Sequence, residues 1–303
     1  MSGPIWRTSR FAIDLARPRV MGIVNVTPDS FSEGGARLST AQAIARCEQM
    51  LAEGADILDI GGESSRPGAL PVSVEEELAR VRPVLAAAVD LGAPVAIDTT
   101  KVEVMRIALD LGVDIVNDIA ALRTPGALDL VAAHPSCGVC LMHMRGTPRS
   151  MQAETVYGDV AAEVTAFLRE RIEAARAAGI DRERIVADPG IGFGKTPAQN
   201  LELFAHQEAL LTLGVPILVG WSRKSTLARL AGLAAKAPAG RSTAEQARLE
   251  AASVVAAVLA VQRGARIVRV HDVAATVVGL AVYQAAGGAD NRAELFSAPA
   301  RTP

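Results

Sequence analysis

The chain has 303 residues, half of them apolar, which suits either two domains of about 150 residues or one α/β barrel of about 250. A formal net charge of −2 leaves no electrostatic footprint for nucleic acid or an anionic membrane surface, and 3% aromatic residues are too few for base-stacking platforms. Three cysteines, Cys47, Cys137 and Cys140, do not make a disulfide scaffold and point to a reducing, cytoplasmic compartment.

In chain order, residues 1–18 hold no apolar run long enough for a signal peptide and read as an N-terminal extension. From there one unit recurs: a short Val/Ile/Leu-rich run, a polar or glycine-rich loop, then an Ala/Leu/Glu/Arg-rich helical stretch. The strand-like runs are "RVMGIVNV" (19–26), "DILDIG" (56–61), "PVAIDT" (94–99), "DIVNDI" (114–119), "GVCLMHM" (138–144), "RIVADPG" (184–190), "PILVGWS" (216–222) and "RIVRVHDV" (266–273). Between them, "SVEEELARVRPVLAAAVDLG" has Ser73 as its N-cap and acids in its first turn, and "YGDVAAEVTAFLRERIEAARAAG" has Gly179 to end it. "AGLAAKAPAGRS" (231–242) reads as a long loop, and the apolar run "AASVVAAVLAV" (251–261) falls short of the ~20 residues of a membrane span.

Eight such alternations predict an α/β fold, a single (β/α)8 TIM barrel over 19–285, with an open doubly wound sheet as the alternative. The extension 1–18 then covers the bottom of the barrel, and 286–303 reads as a flexible tail.

"DPGIGFGKT" (188–196) superficially resembles a phosphate loop. A Walker motif ending in Gly194-Lys195-Thr196 needs a glycine at 189, where Pro189 offers no N–H, and the glycine spacing also misses the dinucleotide fingerprint. The pair Cys137 and Cys140 lacks the second pair of ligands a zinc site requires and reads as ordinary core.

The polar residues gather where the strands end. Asn25, Glu63 to Arg66, Asp98, Asn117 and Asp118, His143 and Arg145, Asp188, Ser222 to Lys224, and Arg269 with His271 follow one another around the chain. In a barrel that face carries the reactive groups. Asp98, Asp188 and Asn117 suit the N–C–N edge of a nitrogen heterocycle, which a carboxylate meets with paired, charge-assisted hydrogen bonds. Arg66, Lys224, Arg269 and His271 suit phosphate, and Asn25 is a neutral oxygen ligand able to share Mg²⁺ with phosphate oxygens. His143 reads as a structural hydrogen-bonder, Lys195 as a salt bridge or loop anchor, and Asp118 as a strand-end clamp.

The segments "VMGIVNVTPDSFSEGG" (20–35), "GADILDIGGESSRPGA" (54–69), "VAIDTTK" (95–101), "GVDIVNDI" (112–119), "LMHMRGTPRSMQ" (141–152), "ADPGIGFGKT" (187–196), "GWSRKS" (220–225) and "RVHDV" (269–273) resemble the dihydropteroate synthase family, in family order. That resemblance implies condensation of p-aminobenzoate with 6-hydroxymethyl-7,8-dihydropterin pyrophosphate, giving 7,8-dihydropteroate and pyrophosphate, with Mg²⁺ as cofactor and a homodimer as assembly. It implies pterin binding by Asp98, Asn117, Met144, Asp188, Phe193, Gly220 and Lys224, and pyrophosphate binding by Asn25, Arg66, Arg269 and His271. Phe31, Ser65, Pro67, Phe193 and Ser222 would meet p-aminobenzoate, Asn25 the metal, and Asp98, Asp188, Lys224, Arg269 and His271 would carry the chemistry. The glycine- and serine-rich segments 27–38 and 63–70 look like the family's closing loops. Ser65, Thr100, Thr155 and Ile191 depart from common family residues, but none replaces a charged or amide group assigned to the site.

Overall fold

A computed structural model describes residues 4–27, 39–66, 68–234 and 240–288. Phe31, Pro67 and most of the segment 27–38 therefore lie outside the described residues, as does the tail from 289 onward.

The chain opens with an antiparallel hairpin, β1 (Ile5–Arg7) and β2 (Ala12–Asp14), with Trp6 opposite Ile13. Eight parallel strands follow: β3 (Arg19–Asn25), β4 (Ile57–Gly61), β5 (Val95–Asp98), β6 (Ile115–Asp118), β7 (Gly138–Met142), β8 (Ile185–Asp188), β9 (Leu218–Val219) and β10 (Ile267–Val270). Their hydrogen-bonded order runs β8-β7-β6-β5-β4-β3-β10-β9, and a parallel bridge between Ala187 and Ile217 joins the two ends. That bridge, with Ala187 N–H donating to Pro216 O at 3.0 Å, closes the barrel and rules out the open sheet. Most of the strands stop short of the apolar runs in the sequence. β9 shrinks furthest, to Leu218–Val219, and Pro216 at the start of the run has no N–H for the ladder.

Outside lie α1 (Thr40–Ala52), α2 (Val74–Val89), α3 (Val102–Asp110), α4 (Ala127–Ala133), α5 (Val160–Ala177), α6 (Pro197–Ala205), α7 (Ser225–Leu230), α8 (Thr243–Gln262) and α9 (Val273–Ala285). Their starts are written in the sequence. Ser39 with Gln42, Thr196 with Gln199 and Ser242 with Glu245 form reciprocal capping boxes, and Ser73 accepts from Glu76 N–H ahead of three first-turn acids. Gly179, left-handed at φ +96°, ends α5 as expected. No described helix is long and apolar enough to cross a membrane.

Period-two alternation sends one face of each strand outward to the helices and the other into the barrel. Each strand contributes one buried residue to an inner layer: Met21, Ile57, Ala96, Ile115, Cys140, Val186, Leu218 and Ile267. The hairpin seals this layer from below with Trp6, Ile13 and Leu15, and the Trp6 indole donates to Arg184 O at 3.0 Å.

Candidate active site

Two residues further along a strand, the side chain again faces inward. The step leads from Met21 to Ile23, Ile57 to Asp59, Ala96 to Asp98, Ile115 to Asn117, Cys140 to Met142, Val186 to Asp188, Leu218 to Gly220 and Ile267 to Arg269. Within one layer the barrel filling changes from hydrocarbon to three carboxylates, an amide and a guanidinium.

Arg269 organises this layer. Its Nε donates to Asp59 Oδ2 at 2.5 Å and its Nη2 to Asp98 Oδ2 at 2.6 Å, while Asn117 Nδ2 donates to the same Asp59 oxygen at 3.1 Å. Burial would lower the Arg269 pKa, but Asp59 and Asp98 outweigh it and hold it above the ordinary arginine value. Two carboxylates share one guanidinium, so neither has a cation to itself. Burial accordingly pushes Asp98 up to about 7 despite Arg269, with Asp59 adding to the rise. Asp59 is fully buried, and its Oδ1 has no hydrogen-bond partner. A polar atom so placed, in a layer that opens upward, is a group awaiting a donor.

Asp188 lies across the barrel. Its Oδ1 accepts from Gly190 N–H at 2.7 Å, which opposes the upward push that burial gives its pKa. Lys224 caps α7 after a turn in which Arg223 is left-handed at φ +58°, and its ammonium sits 4.2 Å from the centroid of the Phe193 ring. Burial, with Arg269 nearby, draws Lys224 down to about 8. Phe193 and Met144 belong to one apolar cluster with Ile119, Met142 and Met151, forming a wall beside these charges.

Higher on the rim, His271 Nδ1 lies 3.0 Å from Ser222 Oγ, and the same oxygen accepts from His271 N–H at 3.1 Å. Burial and the surrounding cations, Arg223 first among them, hold His271 neutral. Asn25 ends β3 opposite Gly61, and Ser65 and exposed Arg66 lie on the loop after β4. The start of that loop is tied down: Lys101 pairs with Glu63 and with buried Glu77, the latter at 2.6 Å.

Asp98, Asn117, Asp188, Gly220, Lys224 and Arg269 thus converge as expected, and Ser222 joins His271. Arg269, read from the sequence as a phosphate ligand, lies one layer below His271 with Nε and Nη2 given to carboxylates. Asp118 faces outward, accepting from Ala120 and Leu122 N–H, both at 2.7 Å, in its expected clamping role. Lys195 is a loop anchor and not a salt bridge, and His143 is one of its partners. Cys137 and Cys140 are buried core residues. Asp59 escaped the sequence reading because it sits in the middle of "DILDIG", away from the strand end. The inward parity it shares with Ile57 is the signal that finds it.

Comparisons with known proteins agree with this geometry. A family model described as pterin binding enzyme matches residues 21–271. The dihydropteroate synthase of Neisseria meningitidis serogroup C is 49% identical over 95% of this chain and 99% of its own length. Among solved structures, the Xanthomonas albilineans dihydropteroate synthase with 4-aminobenzoic acid aligns with a TM-score of 0.84 at 50% identity, over 94% of this chain and 98% of that one. The Xanthomonas albilineans enzyme in complex with 7,8-dihydropteroate aligns at 0.80 and 48% identity, over 92% and 98%.

Proposed function

The chain belongs to the dihydropteroate synthase family, and from that premise we propose how its barrel performs the reaction. The protein is a transferase that joins p-aminobenzoate to 6-hydroxymethyl-7,8-dihydropterin pyrophosphate, releasing pyrophosphate and forming 7,8-dihydropteroate. We assign the inward layer to the pterin. Asp188 takes the amino-pyrimidine edge through paired hydrogen bonds, with Asn117 beside it. Lys224 donates to the ring carbonyl and neighbouring nitrogen, Gly220 leaves the ring room, and Met144 and Phe193 flank its face. Asp59, with one buried oxygen unpaired, joins this set as a second acceptor for ring N–H groups.

The observation that carries the mechanism is that Asp59 and Asp98 share the single guanidinium of Arg269. Loss of pyrophosphate before attack leaves a cation spread from the pterin methylene into the ring. A carboxylate about 4 Å away is worth about 4 kcal/mol at an effective dielectric of about 20, roughly three powers of ten in rate. Asp98 holds that position in our reading, while Arg269 keeps it and Asp59 aimed inward. The arylamine then attacks without a strong base, since its weakly basic nitrogen is already free, and the acidic proton left on that nitrogen passes to the released pyrophosphate or to water. Phe31, Ser65, Pro67, Phe193 and Ser222 are assigned to the p-aminobenzoate side. His271, Arg66 and the remaining Nη1 of Arg269 are assigned to pyrophosphate.

Mg²⁺ is the proposed cofactor. The amide oxygen of Asn25, at the open end of β3, supplies one neutral ligand, and Mg²⁺ ordinarily takes the rest of its shell from phosphate oxygens and water. When bound, the ion neutralises charge on the leaving pyrophosphate. The exposed valines Val255 on α8 and Val278 and Val282 on α9 support a homodimer through these helices. Three unpaired, buried cysteines suit the cytoplasm. The test is pyrophosphate release that requires p-aminobenzoate, the pterin pyrophosphate and Mg²⁺ together. No turnover by folded protein with all three present would sink the assignment.

A further inference from the structure

Lys195 is buried, 2% exposed, and no carboxylate of the described residues pairs with it. Its ammonium instead meets three acceptors at one point: Gly190 O at 3.0 Å, Phe193 O at 3.1 Å and His143 Nδ1 at 2.9 Å. Burial drives the His143 pKa down to about 2, so its ring is neutral. Burial draws Lys195 down to about 7, yet either form of its amine ties all three: the charged form donates to each, and the neutral form donates to the two carbonyls while accepting from the ring.

The loop it closes has few ties besides Lys195: Phe193 N–H donates to Gly190 O at 3.1 Å, Gly192 N–H to Asn200 Oδ1 at 2.7 Å, and Gln152 Nε2 to Gly192 O at 3.3 Å. Gly190, Gly192 and Gly194 are all left-handed, at φ +65°, +82° and +60°. Glycine reaches those angles readily but is equally ready to leave them, so a loop built on three of them is entropically loose. Gly190 allows no alternative residue: a Cβ there would stand 1.9 Å from His143 O. The same loop carries Phe193, whose ring lies under Lys224, and Gly190, whose N–H holds Asp188.

We propose that Lys195 is a positioning residue for the condensation, stapling the glycine loop so that the Phe193 ring is held as a rigid wall of the p-aminobenzoate site. This rests on the assignment of Phe193 to that site. The Asp188 backbone is held independently, since its carbonyl accepts from His143 N–H at 3.0 Å within the barrel wall, and only its carboxylate keeps a tie to the loop, at Gly190 N–H. Release of the staple therefore weakens p-aminobenzoate binding more than pterin binding.

The experiment compares Lys195→Met, His143→Leu and His143→Asn with wild type. The methionine keeps the bulk and removes the donors, the leucine removes one acceptor, and asparagine restores an acceptor near the place of Nδ1. Hydrogen exchange at the amides of 190–195 reads the staple without any turnover. It should speed up at least tenfold in Lys195→Met, less in His143→Leu, and return towards wild type in His143→Asn. Steady-state kinetics read the consequence: KM for p-aminobenzoate should rise at least tenfold in Lys195→Met, and KM for the pterin pyrophosphate, which also meets Phe193 but keeps its other contacts, by a clearly smaller factor. Unchanged exchange, or faster exchange with both KM values unaltered and only a lower Tm, would overturn the proposal. If Lys195→Met does not fold, the two His143 variants decide it by the same pair of readouts. A wild-type protein that bound neither substrate would defeat the family assignment separately, since exchange still reports the staple.

Discussion

Two layers of the same barrel interior, one residue pair apart along every strand, do opposite work. The lower layer, from Met21 to Ile267, is hydrocarbon sealed by Trp6, and the upper layer holds Asp59, Asp98, Asn117, Asp188 and Arg269. Backbone and parity are shared, so side-chain chemistry and the open top, where Asp98 and Arg269 are only partly buried, separate a plug from a site. A buried charge is costly unless paired, and the upper layer pairs its charges incompletely. The plug below supplies the rigidity that keeps this unfavourable arrangement in place.

If that division holds, damage to the upper layer should cost function and damage to the lower layer should cost stability. The largest effect belongs to Asp188→Ala. Removing a buried, hydrogen-bonded carboxylate costs about 3–5 kcal/mol, so calorimetric pterin binding should fall at least a hundredfold with the protein still folded. Normal pterin affinity would show that the ring is held elsewhere. Trp6→Ala tests the other layer: denaturant unfolding should lose about 3–5 kcal/mol, while kcat per folded molecule stays as in wild type. A fall in kcat without a fall in stability would erase the distinction between the layers.

A smaller, pH-dependent effect sharpens the comparison. A carboxyl whose folded pKa of about 7 stands above its ordinary 3.8 favours folding while protonated. That contribution is complete below the unfolded value and is lost as pH rises through about 7. Asp98→Asn removes the titration, so the Tm of the variant should gain on wild type between pH 5 and pH 8. A constant Tm difference across that range would show that Arg269 neutralises Asp98 fully. Smallest of all, Cys137→Ala should leave turnover near wild type, because its thiol is a core filler that only meets Arg184 and Val131 O.

Much of this was legible in the sequence. Eight apolar runs, their intervening helices and the polar strand ends are local patterns, and so are the caps at Ser39, Ser73, Thr196 and Ser242. What stayed hidden depends on distance along the chain. Arg269 meets Asp98 across 171 residues and Asp59 across 210, so no local window shows that one guanidinium serves two carboxylates. Asp59 lies inside an apolar strand run, and only the layer below it gives its inward parity. Lys195 was legible as an anchor, but its His143 partner lies 52 residues away, and the absence of a carboxylate partner is a property of the fold.

The lower layer also bears on how the chain is made. It draws one residue from every barrel strand, so nothing shorter than the chain through Ile267 can complete a dry seat for Trp6. As the ribosome delivers the protein, the hairpin emerges first and must wait for β10 before its indole is fully covered. Until then the nascent barrel exposes apolar edges at β3 and β9, the two strands that β10 joins. A product cut short before Ile267 would be an open sheet with two unpaired margins, and its fate is aggregation or proteolysis.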